Sequence, residues 1–138
     1  MIPIWYWFVA GVLTLWNAIG CFACYSQLTI APEKLAKLPA DQRDAWSAMP
    51  AFAKLAYVVA VVAGLAGAVL LLLQNALALP LSILSLGGIV VQFGWFYLGY
   101  GGWARHGAKG AIFPAFIALV GIGQIAFACC AKAQGWLV

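Results

Sequence analysis

Charge is what this chain of 138 residues most lacks: three acids, seven Lys or Arg and one His leave charged residues at 7%. An average soluble domain is about a quarter charged. Ten charged side chains cannot hold in water a chain that is 67% apolar with a mean hydropathy of +1.04. A soluble globular domain is therefore excluded. So is a disordered or nucleic-acid-binding tail, in spite of the net charge of +4.

The acids are Glu33, Asp41 and Asp44, all in one segment, so no span carries a carboxylate. This counts strongly against proton-coupled antiport of the small multidrug type, which depends on a buried Glu. His106 is the only His, stands beside Arg105 and has no catalytic partner in sequence. There is no Ser/His/Asp set, no Gly-rich phosphate loop and no metal-ligand cluster. A non-enzymatic protein is expected, with no catalytic residue, metal or cofactor. Met1–Leu15 also lacks the basic start of a secretory signal, and Ala18-Ile19-Gly20-Cys21 is a poor lipoprotein cleavage box, so the first span is kept.

What is present is long uncharged sequence. No Asp, Glu, Lys or Arg occurs from Met1 to Pro32, from Leu55 to Ala104 or from Gly110 to Ala131. A spanning helix needs roughly 20 apolar residues, so the middle stretch holds two and must turn. Gln74-Asn75 followed by Pro80 supplies the turn, because Pro suits the first turn of a new helix. Four spans are predicted, at about Ile4–Leu28, Pro50–Gln74, Pro80–Tyr100 and Ala111–Ala131. Unpaired backbone groups are costly in hydrocarbon, and the runs lack the alternation of a barrel strand. The expected fold is all-α: a polytopic membrane protein, a four-transmembrane-helix bundle forming a single membrane domain over residues 1–138.

Lys34, Lys37, Arg43, Lys54, Arg105 and Lys109 fall in loops 1–2 and 3–4, against Lys132 alone on the other side. This asymmetry puts both termini in the periplasm. Trp5, Tyr6 and Trp7 at one end, Tyr97, Tyr100 and Trp103 at the other, and Trp136 are read as interfacial anchors. Within loop 1–2, Asp41–Ser47 is expected to form a short helix after Pro39, with Trp46 available to the membrane surface and Lys34, Lys37 and Arg43 available to head groups.

Three amides lie near the middle of their spans. Asn17 shares a helical face with Gly20, Cys21 and Cys24; Gln92 with Ser85, Gly88 and Gly99; Gln124 with Gly121, Ala128 and Ala131. Ala60, Gly64 and Ala68 form a small-residue ridge on span 2, so Ala60, Gly64, Ala68, Gly88 and Gly121 are the candidate packing residues. The amides have two readings: interhelical hydrogen bonds, or a site for a small neutral or lipid-like ligand (a sugar, a quinone, a lipid head group). Gly11, Gly20, Gly87 and Gly94 add small residues beyond one internal seam. They favour an accessory or structural subunit that packs in the bilayer against a larger membrane complex or against copies of itself. The carrier of a neutral ligand is the alternative. Cys21, Cys24, Cys129 and Cys130 cannot share a metal, since opposite helix directions put the pairs roughly 15–20 Å apart; they are expected to pack buried, as small hydrophobes.

Trp16-Asn17-Ala18-Ile19-Gly20, Leu35-Ala36-Lys37-Leu38-Pro39, Ala48-Met49-Pro50-Ala51-Phe52 and Gly64–Leu73 follow in an order that resembles a family of small four-span bacterial inner-membrane proteins of unknown function, sometimes loosely labelled sugar transporters. The resemblance covers roughly Trp16–Gln92 and implies a bacterial inner-membrane location. The chain departs from the family pattern twice. Ala23 and its neighbours stand where members carry an Asp, and Gln74–Leu79 is uncharged where members have a basic loop 2–3, which implies the opposite orientation.

Overall fold

The computed structural model describes residues 2–101 and 111–138, with Asp41 described by its backbone only. Six α-helices follow in order: α1 Ile4–Leu28, α2 Pro32–Ala36, α3 Ala40–Ala48, α4 Ala51–Leu72, α5 Ala78–Gly94 and α6 Ile112–Ala133. A π-helical segment, Trp95–Gly99, carries α5 on to Gly99. The described residues contain no strand. Four helices are long and apolar enough to cross a membrane: α1, α4, α5 with its π-helical continuation, and α6. The protein is an all-α, multi-pass bundle, and its four long helices begin and end within two residues of the limits expected from charge.

Each helix begins at a proline. Pro3, Pro39 and Pro50 stand immediately before α1, α3 and α4; Pro32 opens α2; Pro80 and Pro114 lie in the first turns of α5 and α6. Those are the six prolines of the chain. The first turn is where a missing N–H goes unnoticed, and no helix interior is broken. Helix ends are built differently. After α4, Gln74 adopts φ 57° while Asn75 N–H reaches Leu70 O at 2.8 Å and Gln74 N–H reaches Leu71 O at 3.1 Å. After α6, Gly135 at φ 77° repeats the motif, with Trp136 N–H on Ala131 O at 2.9 Å and Gly135 N–H on Lys132 O at 3.0 Å. Both are the paired 6→1 and 5→2 bonds that satisfy a helix's last carbonyls. The two turns also bond each other: Val138 N–H donates to Gln74 O at 2.8 Å and Ala76 N–H to Val138 O at 3.1 Å.

α4 lies at the centre, packed against α1 and α5, while α6 packs mainly on α5. The α4–α5 seam is close because Gly88 has no side chain: a Cβ there would stand 2.7 Å from Ala56 O and 2.9 Å from Ala60 N. Ala60, Gly64 and Ala68 are all buried, as the ridge predicts. Gly121 accommodates Ile89 and Leu86 of α5, whose methyl carbons lie 3.3 and 3.4 Å from its Cβ position.

The apolar core gathers at the end of the bundle that holds both termini. Tyr6, Ala10 and Leu13 of α1 meet Ala68 and Leu71 of α4, Ala78 of α5, Ala128 and Ala131 of α6, and Leu137. Tyr6 corrects one expectation. It is fully buried rather than interfacial, and its hydroxyl donates to Leu71 O. A buried phenol needs such a partner, and the last turn of α4 offers a carbonyl. Its ring stacks on Phe127 at 5.2 Å and meets Trp136 edge-on at 5.6 Å. Trp103, Arg105, His106 and Lys109 lie outside the described residues.

Candidate functional site: an amide-floored cleft

Asn17 and Gln124 sit on helices that share little backbone contact, and their side chains bridge the gap. Asn17 Nδ2 donates to Gln124 Oε1 at 2.9 Å and to Leu13 O, one turn back on α1, at 2.8 Å. Gln124 Nε2 donates to Gly64 O at 3.1 Å and to Ser82 Oγ at 2.9 Å. One glutamine thus links α6 to α1, α4 and α5. It is 4% exposed, so a polar group at this depth is costly unless bonded. Two hydroxyls complete the layer: Ser82 donates to Ala78 O at 2.7 Å, and Ser85 to Ala60 O at 2.6 Å across the α4–α5 seam.

Glycines make room for this layer. A Cβ on Gly64 would collide with Asn17 Oδ1 and stand 2.9 Å from Ser85 Oγ; one on Gly67 would meet Ser82 Oγ at 2.9 Å and Gln124 Nε2 at 3.1 Å. Gly64 is therefore both a packing residue and the space into which the amide fits. Ser82 and Gly67 belong to the layer without having been singled out in sequence. The signal was there for Ser82, which precedes Ser85 by three residues and so shares its face.

Gln92 stands apart. It is seven residues beyond Ser85, about 10 Å along α5, and its side chain makes no hydrogen bond with a described residue. The structure brings Asn17 and Gln124 into direct contact but leaves Gln92 out of it. What unites the three is a cavity of about 350 Å³ between α1, α4, α5 and α6, lined by all of them together with Ser82, Ser85 and Tyr57. Its walls are apolar and aromatic, among them Trp16, Ile89, Phe113 and Ile117, and no charged residue is among the described residues that line it. The volume is at the lower end of the range of small-molecule sites, about 300–1,000 Å³.

A second cavity, about 480 Å³, lies at the loop 1–2 end and is lined by residues of α1, α3, α4 and the π-helical segment. It shares Gln27, Tyr57, Gln92 and Phe93 with the first. The two form a vestibule and an inner cleft joined at that neck. The apolar core lies toward the opposite end of the spans from these shared residues. Trp46 of α3 lines the vestibule instead of lying free on the surface, and Lys54 Nζ stands 4.8 Å from the centroid of its ring. α3 itself spans Ala40–Ala48, one residue longer at each end than expected.

Two face assignments need correction. Gly99 was placed with Ser85, Gly88 and Gln92, but it is exposed while Ser85 and Gly88 are buried. The π-helical segment turns it off that face. The cysteines divide: Cys24 is buried and Cys21 donates to Val61 O at 3.2 Å, whereas Cys129 and Cys130 are exposed on α6. The buried face of α6 is that of Gln124, Ala128 and Ala131, and the two thiols project from the other faces. All four are free, and no group of metal-ligand type occurs among the described residues.

Fold and cleft together define a small all-α membrane protein with four long apolar helices and a half-open, largely apolar cavity floored by amides and hydroxyls. Comparison with known protein families, with curated proteins and with solved structures finds no match. The motif resemblance of Trp16–Gln92 accordingly rests on its own residues.

Proposed function

We propose that this is a non-enzymatic protein of the bacterial inner membrane that binds, and by extension carries, a small neutral or lipid-like ligand in the cleft between α1 and α6. The observation that carries this reading is that Asn17, Gln92 and Gln124 all line one cavity while only two of them are joined. Amides serving as interhelical bonds alone would leave no space between them. A lining without charge among the described residues selects against ions, because a charge brought to this depth would find no countercharge there. Native mass spectrometry of protein extracted directly from its own membrane tests the reading. A stoichiometric neutral adduct is expected; a bare chain, unchanged by added lipids or sugars, would refute it.

A second reading, the accessory subunit, draws on different residues. Gly11, Gly87, Gly94 and Gly123 have nothing within 4 Å of their Cβ positions, so flat spots remain on the outer faces of α1, α5 and α6. They suit a neighbouring helix of a larger complex or of a second copy. Replacement of Gly87 by Leu would then release a partner seen in mild detergent, and a lone monomer in the unmodified protein would count against it. For orientation we keep the charge asymmetry as the guide: a reporter fused after Val138 should be active in the periplasm, and cytoplasmic activity would reverse the assignment.

A further inference from the structure

The floor of the inner cleft has used every hydrogen-bond donor it owns. An amide nitrogen has two and a hydroxyl one. Asn17 gives its two to Leu13 O and Gln124 Oε1, and Gln124 gives its two to Gly64 O and Ser82 Oγ. Ser82 and Ser85 give theirs to Ala78 O and Ala60 O. The orientation of both amides follows from chemistry, because backbone carbonyls only accept. Turning either amide over would set its oxygen against Leu13 O or Gly64 O. Lone pairs are what remains: those of Asn17 Oδ1, to which no described residue donates, the second on Gln124 Oε1, the second on Ser82 Oγ, which already accepts from Gln124, and those of Ser85 Oγ.

We infer that the cleft recognises a membrane-soluble alcohol, whose hydroxyl donates to this acceptor-only floor while its chain lies along the apolar walls. This deepens the binding reading above and rests on it. The alternatives fail on the same inventory. A quinone or an ether presents only acceptors and would set lone pair against lone pair, which forfeits a hydrogen bond and strands a buried acceptor. An amine is charged at neutral pH, and no acid is among the described residues of the lining. An amide donates, but brings a carbonyl that nothing on the floor can satisfy. Among the described lining residues the other donors stand off the floor: Gln27, Gln92 and Tyr57 at the neck and the Trp16 indole N–H on the wall. The lipid phase is the source, because Trp16, Ile89, Phe113, Ile117 and Val120 wall the cleft at bilayer depth.

The test uses the full chain in nanodiscs and two isomers of equal size, decanol and methyl nonyl ether. Trp16 stands in the lining, so its fluorescence reports occupancy, and a Trp16→Phe control identifies that signal. Decanol should saturate the change with roughly three- to tenfold higher affinity than the ether, the value of one neutral hydrogen bond. Ser85→Ala should narrow that ratio; the comparison on the unaltered protein stands even if this variant does not fold. Equal saturable binding of the two isomers would overturn donor selection while leaving the binding reading intact. No saturable response to either would overturn both. Displacement of decanol by glycerol would overturn the lipid source in favour of a water-soluble polyol.

Discussion

Replacing Gly88 by alanine sets one methyl group against the backbone of the neighbouring helix. The new carbon would lie 2.7 Å from Ala56 O, 2.9 Å from Ala60 N and 3.1 Å from Ala60 Cα. No rotamer change relieves a contact with backbone atoms, so α5 must withdraw from α4 by roughly 0.7 Å to reach ordinary contact, and a gap of that size forfeits a quarter to a half of each dispersion contact along the seam. It would also stretch the 2.6 Å bond from Ser85 to Ala60 O. Overpacking of this kind costs about 1–3 kcal/mol. Alanine gains about 0.8–1 kcal/mol over glycine in helix propensity, which obscures the effect in a single variant. Gly87 removes the ambiguity: it is the adjacent residue of the same helix, with nothing within 4 Å of its Cβ position. The propensity gain is common to both substitutions and cancels in their difference. Gly88→Ala should therefore be less stable than Gly87→Ala by about 1–3 kcal/mol, measured by reversible unfolding in mixed micelles with increasing dodecyl sulfate. Equal stabilities would refute the close approach of α4 and α5.

Three further outcomes follow from features described above. In a double-mutant cycle, Asn17→Ala and Gln124→Ala should couple by about 0.6–1.7 kcal/mol in the same unfolding assay, and additivity would deny their bond. Gln74→Gly should raise stability by about 0.5 kcal/mol, since relief of a left-handed backbone outweighs the chain entropy that glycine adds; a loss exceeding that would mean the side chain's 3.4 Å contact with Trp136 O matters more. A membrane-permeant maleimide should modify Cys129 and Cys130 well before Cys24, as read by intact-mass spectrometry after brief exposure. Prior labelling of Cys24 would place α6 the other way round.

The spans were legible because charge is so scarce: ten residues partition the chain, and a bilayer tolerates few alternatives. The turn after Leu73 was legible from Gln74-Asn75, and α3 from Pro39. Every other helix start could have been read the same way, since all six prolines mark one. Faces were legible by offset where the helix stayed α, as for Gly64, Gly88 and Gln124. They failed at Gly99, because the widened last turn shifts phase and no residue type announces it. Offsets also say nothing about depth, so they could not show that Gln92 stands a layer away from the other two amides. Cys129 and Cys130 were misjudged because residue type was used where the face of Gln124 and Ala128 already decided the matter.

The π-helical segment has a consequence for phase. Trp95 and Tyr100 stack with ring centroids 5.4 Å apart and planes 23° from parallel, and Tyr100 N–H bonds Trp95 O at 2.8 Å. Residues five apart on an α-helix point about 140° away from each other and cannot stack. With more residues per turn they come nearly into line, and Gly99, whose Cβ would be 3.0 Å from the Trp95 ring, leaves that ring room. The aromatic pair is thus a gauge of winding. Tightening the segment by one residue would swing Tyr100 about 100° around the axis and take it off Trp95, a residue of the vestibule wall. The mouth of the cleft is set by how many residues make one turn.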